Sequence, residues 1–166
     1  RLFAAIPSGV GSDGILSLND GEFDQAMIHG AQWGGKKGYG IKNDIVFCEE
    51  SGRVDNADPS CVSQKARQRG AGQVGSLGSG NHYLEIQVAK DENIYDRKNA
   101  GTFGITGNSQ VVIMIHCGSR GFGHQIATDY TGSFAKLQQK FGYNLPDREL
   151  ACAPFYSEEG QSYFHA

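Results

Sequence analysis

The sequence predicts an α+β fold of buried, mixed β-sheets flanked by helices, and three stretches carry that prediction. Gln110-Val111-Val112-Ile113-Met114-Ile115 is a near-continuous, mostly β-branched run, the pattern of a strand buried on both faces. Tyr83-Leu84-Glu85-Ile86-Gln87-Val88 has the alternating character of a strand. From about His124 to Lys140, the residues Ile126, Tyr130, Phe134 and Leu137 recur on one helical stripe.

Taken in order, the chain opens with a loop, because three glycines and a proline crowd Ile6 to Gly14. Asp20 is the expected N-cap of a helix carrying Phe23, Met27, Ala31 and Trp33. Gly34-Gly35 weakens that helix by roughly 1 kcal/mol per glycine, and Lys36-Lys37-Gly38 is its basic, glycine-stopped end. Asp58-Pro59 sets an N-cap and first-turn proline for a helix with Val62 and Ala66 on its apolar side. Lys65 and Arg69 lie on another face of that helix, and Gly70 stops it. A first glycine-rich loop, 73–80, leads into the Tyr83 strand, and a second, 116–123, follows the Gln110 strand. Pro146 closes the long helical region, and Ser157-Glu158-Glu159 opens a last helix with a cap and an acidic first turn.

Composition narrows the function classes. With 166 residues, 39% hydrophobic and 20% charged, the chain reads as one soluble domain. Its 24 glycines follow no collagen period. A net charge of −3 is no nucleic-acid signature for the whole chain, although a basic patch fits on a mildly acidic protein. Cys48, Cys61, Cys117 and Cys152 contain no CxxC pair, which removes zinc-finger spacing, and they are read as reduced and intracellular. No apolar run reaches the length of a membrane span, and no signal peptide opens the chain. Arg1 is not a start methionine and Ala166 follows a helix start, so both ends read as cut.

The chemistry gathers at the glycine loops. His82 begins one strand and His116 ends the other, positions from which a rigid scaffold displays functional groups. Imidazole there ligates Mn, Zn or Fe, or simply satisfies a buried strand end. Asn81 and Glu85 flank His82, fit either to read a nucleotide or to solvate a strand edge. The first loop lacks the GK[ST] ending of a Walker loop and runs helix-to-strand, the reverse of a dinucleotide fingerprint. In the second loop, Arg120 beside free helical N–H groups makes an anion site, with phosphate the first choice and pairing to an acid such as Asp129 the alternative. Lys65, Arg67 and Arg69 form either an RNA-backbone patch or a solvated helix face.

Three long stretches together resemble the RtcB ligase family. They are Gln73 to Glu85 (QVGSLGSGNHYLE), His116 to Tyr130 (HCGSRGFGHQIATDY) and Ser157 to Gln161 (SEEGQ). Ile6 to Gly14, Lys37-Gly38-Tyr39-Gly40 and Asp147-Arg148-Glu149-Leu150 are similar to it as well. The resemblance implies an RtcB-like fold and a single partial catalytic domain over residues 1–166, truncated at both ends. It implies a ligase that joins RNA 3'-phosphate or 2',3'-cyclic phosphate ends to 5'-hydroxyl ends, with GTP as cosubstrate, in tRNA splicing or RNA repair. Two Mn2+ ions serve the full enzyme, and the reaction passes through enzyme-guanylate and RNA-guanylate intermediates. His82 and His116 match two of the metal-binding histidines; Asn81, His82, Tyr83, Leu84 and Glu85 match the guanylate-contacting stretch; Arg120 matches the arginine of the family's GSRG loop, which holds RNA phosphate, and Arg69, from the basic run, is the second candidate for RNA phosphate. The implied partners are RNA (tRNA exon halves or broken RNA) and GTP, with no membrane. The implied compartment is the cytoplasm, or also the nucleus in a eukaryote.

The family's Asp and shared Cys belong to a DxGCG-like stretch that this sequence lacks. Its third metal histidine and its guanylylated histidine are expected beyond the SEEGQ region, so no catalytic residue is assigned within the chain. The alternative is a truncated, inactive fragment that binds RNA or a partner. A zinc hydrolase would also use two histidines, but no HExxH spacing occurs.

Overall fold

The structure, a computed structural model, describes residues 2–41 and 43–166. In chain order its helices are α1 (Leu2–Ala5), α2 (Asp20–Lys36), α3 (Gln64–Ala71), α4 (Arg97–Thr102), α5 (Arg120–Phe141) and α6 (Glu158–His165). Its strands are β1 (Tyr83–Ala89) and β2 (Gln110–His116), and short 3-10 turns join the rest. The chain forms two compact units, one of Arg1–Ser12 with Ser76–Gly118, the other of Asp13–Gly75 with Ser119–Ala166.

The first unit is built on β1 and β2, which pair antiparallel with Tyr83 opposite His116 and Ala89 opposite Gln110. Both strands lie where alternation and β-branching put them. Buried mixed sheets do not occur among the described residues: the one sheet has two antiparallel strands, and Ile113 and Ile115 are 65% and 62% exposed. Side chains alternate across a strand and paired residues share a face. One face therefore carries Tyr83, Glu85, Met114 and His116, and the other carries Leu84, Ile86, Val88, Val111, Ile113 and Ile115, all apolar. The apolar run that signalled a two-sided burial is thus apolar on one face and half-apolar on the other. Leu84 and Ile86 line a cleft with Leu2, Ile6, Ser8 and Leu77. Between the strands, α4 is capped by Asp96, whose carboxylate accepts the Asn99 N–H at 2.9 Å.

The second unit is helical. Asn19, one residue before the expected cap, begins α2: its side chain accepts the Glu22 N–H at 2.9 Å and Glu22 accepts the Asn19 N–H in return. The helix ends at Lys36, in the basic stretch expected to end it, and its kink is at Gly30. Asp58-Pro59 starts a 3-10 turn, Pro59–Cys61, with Asp58 accepting from the Ser60 N–H. A second cap, Ser63, then starts α3, so the single helix expected there is two elements. Helix α5 begins at Arg120, four residues before the expected start, and Ser157 caps α6 as expected, accepting the Gly160 N–H at 3.0 Å.

Helices α3 and α5 pack together around Val62, Ala66 and Ile126, with Met27, Phe122 and Tyr130 against that cluster. Phe23 and Phe122 meet edge-to-face, 5.3 Å between centroids. The space they fill is left open by Gly70, where an added Cβ would lie 2.7 Å from the Phe122 ring and 2.8 Å from the Phe23 ring. Gly70 is thus a packing residue, and α3 continues past it to Ala71.

Candidate functional site

The cross-strand pair at the end of the hairpin brings the two predicted histidines together. His116, the last residue of β2, stands opposite Tyr83, and His82 immediately precedes Tyr83. The imidazole centroids of His82 and His116 are 6.0 Å apart at 73°, and the Tyr83 ring lies 5.4 Å from His116. With metal–nitrogen bonds of about 2 Å, two imidazoles on one ion have centroids within roughly 6.5 Å. The observed spacing therefore fits joint ligation. His82 Nδ1 is buried and has no hydrogen-bond partner. A buried, unsatisfied imidazole nitrogen is unfavourable in isolation, and a metal ion or a further polar group relieves it. Among the described residues no cluster of three or more His, Cys, Asp or Glu completes a site.

The nucleotide-contacting stretch divides. Glu85 is on the His116 face with Tyr83, exposed, and accepts from Gln87 Nε2 at 2.6 Å. Tyr83 points its hydroxyl at Met114 Sδ, 3.6 Å away. Asn81 is exposed just ahead of the strand. Leu84 is on the opposite face, in the apolar cleft. Tyr83 and Glu85 thus share a face with His116, and Leu84 is on the opposite face.

The second unit holds the two arginines. Arg120 opens α5 with φ of 55°, a left-handed conformation that costs a non-glycine residue roughly 1 kcal/mol. The next N–H, of Gly121, which the sequence left free for an anion, donates to Gln73 Oε1 at 2.8 Å. Arg69 is exposed, and Arg120 half-buried; Arg69 donates from Nη1 to Gln125 Oε1 at 2.8 Å. Gln125 is 2% exposed, and its amide passes the connection to Asp129 at 2.7 Å. Asp129, the alternative partner for Arg120, accepts from Ser63 Oγ at 2.6 Å through its other oxygen. In the basic triplet, Arg67 turns inward to Asp24 and the Pro59 carbonyl.

These features sit in stretches shared with known proteins. The family model described as tRNA-splicing ligase RtcB matches residues 1–166. The chain belongs to the RtcB family. It is similar to the tRNA-splicing ligase RtcB of Archaeoglobus fulgidus, 50% identical over 164 residues, which are 99% of this chain and 33% of that protein. The Methanocaldococcus jannaschii protein of that name is 52% identical over 165 residues, 99% of this chain and 17% of its own length. The Methanococcus maripaludis one is 47% identical over 166 residues, 100% of this chain and 34% of its own length. The chain spans a third or less of the Archaeoglobus and Methanocaldococcus relatives.

Within this RtcB-family segment, sequence reasoning passed over Gln73, Gln125 and the Ser63–Asp129 contact. One signal was present for Gln125: it stands four residues before Asp129, and i,i+4 polar pairs meet on a helix face. Gln73 had no local signal, because its partner is 48 residues away.

Proposed function

We propose that this segment supplies part of the metal and nucleotide site of an RNA ligase that joins 3'-phosphate or 2',3'-cyclic phosphate ends to 5'-hydroxyl ends with GTP and Mn2+. The observation that carries the reading is the His82–His116 pair with its unpartnered buried Nδ1. When bound, manganese would neutralise phosphate charge and align the reacting oxygens. His82 and His116 would hold it through imidazole nitrogens, with the remaining ligands from residues beyond this segment. Glu85 and Asn81 present a carboxylate and a carboxamide for the guanine nucleotide, and Tyr83 closes over His116. Arg120 and Arg69 present guanidinium groups for RNA phosphate, where charge-assisted bonds orient an end without reading its sequence. The nucleophile that takes the guanylyl group lies outside these residues. The substrates are tRNA exon halves or broken RNA, in the cytoplasm or nucleus. No helix among the described residues is long and apolar enough to cross a membrane.

The test is a chimera in which this chain replaces the matching third of the Archaeoglobus fulgidus relative. The chimera should join 3'-phosphate to 5'-hydroxyl RNA ends only with GTP and Mn2+. His82→Ala and His116→Ala should each slow joining by roughly 100-fold or more, the scale expected for a lost metal-site contribution of several kcal/mol. Joining that survives both substitutions would refute the assignment.

A further inference from the structure

We infer that Gln73 is a positioning residue that sets the Ser119–Arg120–Gly121 turn, and so the direction of the Arg120 guanidinium. The inference rests on the proposed phosphate role of Arg120. An α-helix leaves its first N–H groups without internal partners, and an anion or a side-chain acceptor takes them. Here the Gly121 N–H is taken by Gln73 Oε1 at 2.8 Å, from the residue just beyond α3. The peptide so fixed is the one directly after Arg120, whose φ of 55° needs an external hold to persist.

The packing beneath the turn is as specific as the hydrogen bond. A Cβ at position 121 would lie 2.9 Å from Gln73 Oε1 and 3.3 Å from Arg69 Nε, so the carboxamide and the arginine lie directly against the glycine. Arg69 is itself anchored through Gln125 to Asp129 and Ser63. The turn thus rests on a connected polar layer built from α3 and α5. The acceptor is also neutral. A carboxylate in its place would satisfy the same N–H but set an anion beside the arginine and repel a phosphate. A carboxamide fixes the backbone without competing for the guanidinium charge. The Gly121 N–H is therefore occupied by a neutral acceptor.

The experiment compares the binding of a 3'-phosphorylated oligoribonucleotide with that of its 3'-hydroxyl counterpart. It uses the full chain and its Gln73→Met, Arg120→Met and doubly substituted forms, with amide hydrogen exchange at Gly121 as a second readout. Gln73→Met should speed Gly121 exchange and cut the preference for the phosphorylated end about tenfold, the scale of one well-placed hydrogen bond. The double form should be no worse than Arg120→Met alone, because the glutamine acts through the arginine. Gln73→Asn keeps the carboxamide but shortens its reach, and should show the same losses if the methionine form does not fold. An Arg120→Met form that keeps the full preference overturns the phosphate reading and the inference with it. Loss on Arg120→Met with an unchanged Gln73→Met, or with strictly additive losses, overturns the positioning role alone. Rapid Gly121 exchange in the parent does the same.

Discussion

Tyr130 ties three segments of the helical unit to one oxygen. Its hydroxyl is 2.7 Å from the Cys61 carbonyl, 2.8 Å from Ser162 Oγ and 3.1 Å from the Ser162 carbonyl. Tyr130→Phe removes that hub and takes its donor from the Cys61 carbonyl, whereas the Ser162 carbonyl keeps the Ala166 N–H, so it should cost about 1–2 kcal/mol in denaturant titration. Burial, outweighing the Ser162 hydrogen bond, raises the Tyr130 pKa above its usual value. A raised pKa means the folded state holds the proton more tightly. Its stabilising contribution is therefore complete below about pH 10 and is lost as pH rises past that value. Tyr130→Phe should flatten the alkaline arm of the stability–pH curve; an unchanged arm would show that another group titrates there. At Gly70 the two phenylalanine rings leave no room for a methyl group, so Gly70→Ala should destabilise by about 1–3 kcal/mol despite its better helix propensity. Thermal melting decides between packing and propensity by the sign of the shift.

Elements were legible where their signals are local. The strands at Tyr83 and Gln110 and the helices opened by Ser157 and by the Ile126–Phe134 stripe follow from periodicity and capping chemistry. Asn19 in place of Asp20 is a contest between two good caps, decided by Glu22 standing three residues after Asn19 to complete the reciprocal box. Asn19→Ala should therefore cost about 1 kcal/mol by chemical denaturation, and Asp20→Ala distinctly less. The split after Pro59 was not legible as such, although Ser63, the cap that restarts the helix, is a good one. What the candidate site shares with other segments was the least legible. His82 and His116 could be named from their strand-end positions, but their 6.0 Å approach depends on a register between residues 34 apart in sequence. The Gln73–Gly121 and Arg69–Gln125 bonds span 48 and 56 residues, and no pattern within either stretch announces them.

Across the whole molecule, chemistry and hydrophobicity are sorted by face and by unit. The hairpin of the first unit puts His116, Tyr83 and Glu85 on one face and six apolar side chains on the other, and three of those six, on β2, are more than 60% exposed. An apolar face of that kind binds hydrophobic dyes and drives association when left uncovered. Ile113→Lys should lower dye binding and raise solubility without altering metal uptake, since position 113 is on the face opposite His116. If His82 and His116 serve one ion, removing either imidazole weakens its binding. Calorimetric titration of Mn2+ into the Archaeoglobus chimera, its His82→Ala form and its His116→Ala form, each folded by circular dichroism, measures this directly. The parent should bind Mn2+, and each substitution should weaken binding by at least about tenfold. Affinity that stays unchanged in both variants would contradict joint ligation and return the two imidazoles to a structural role at the strand ends.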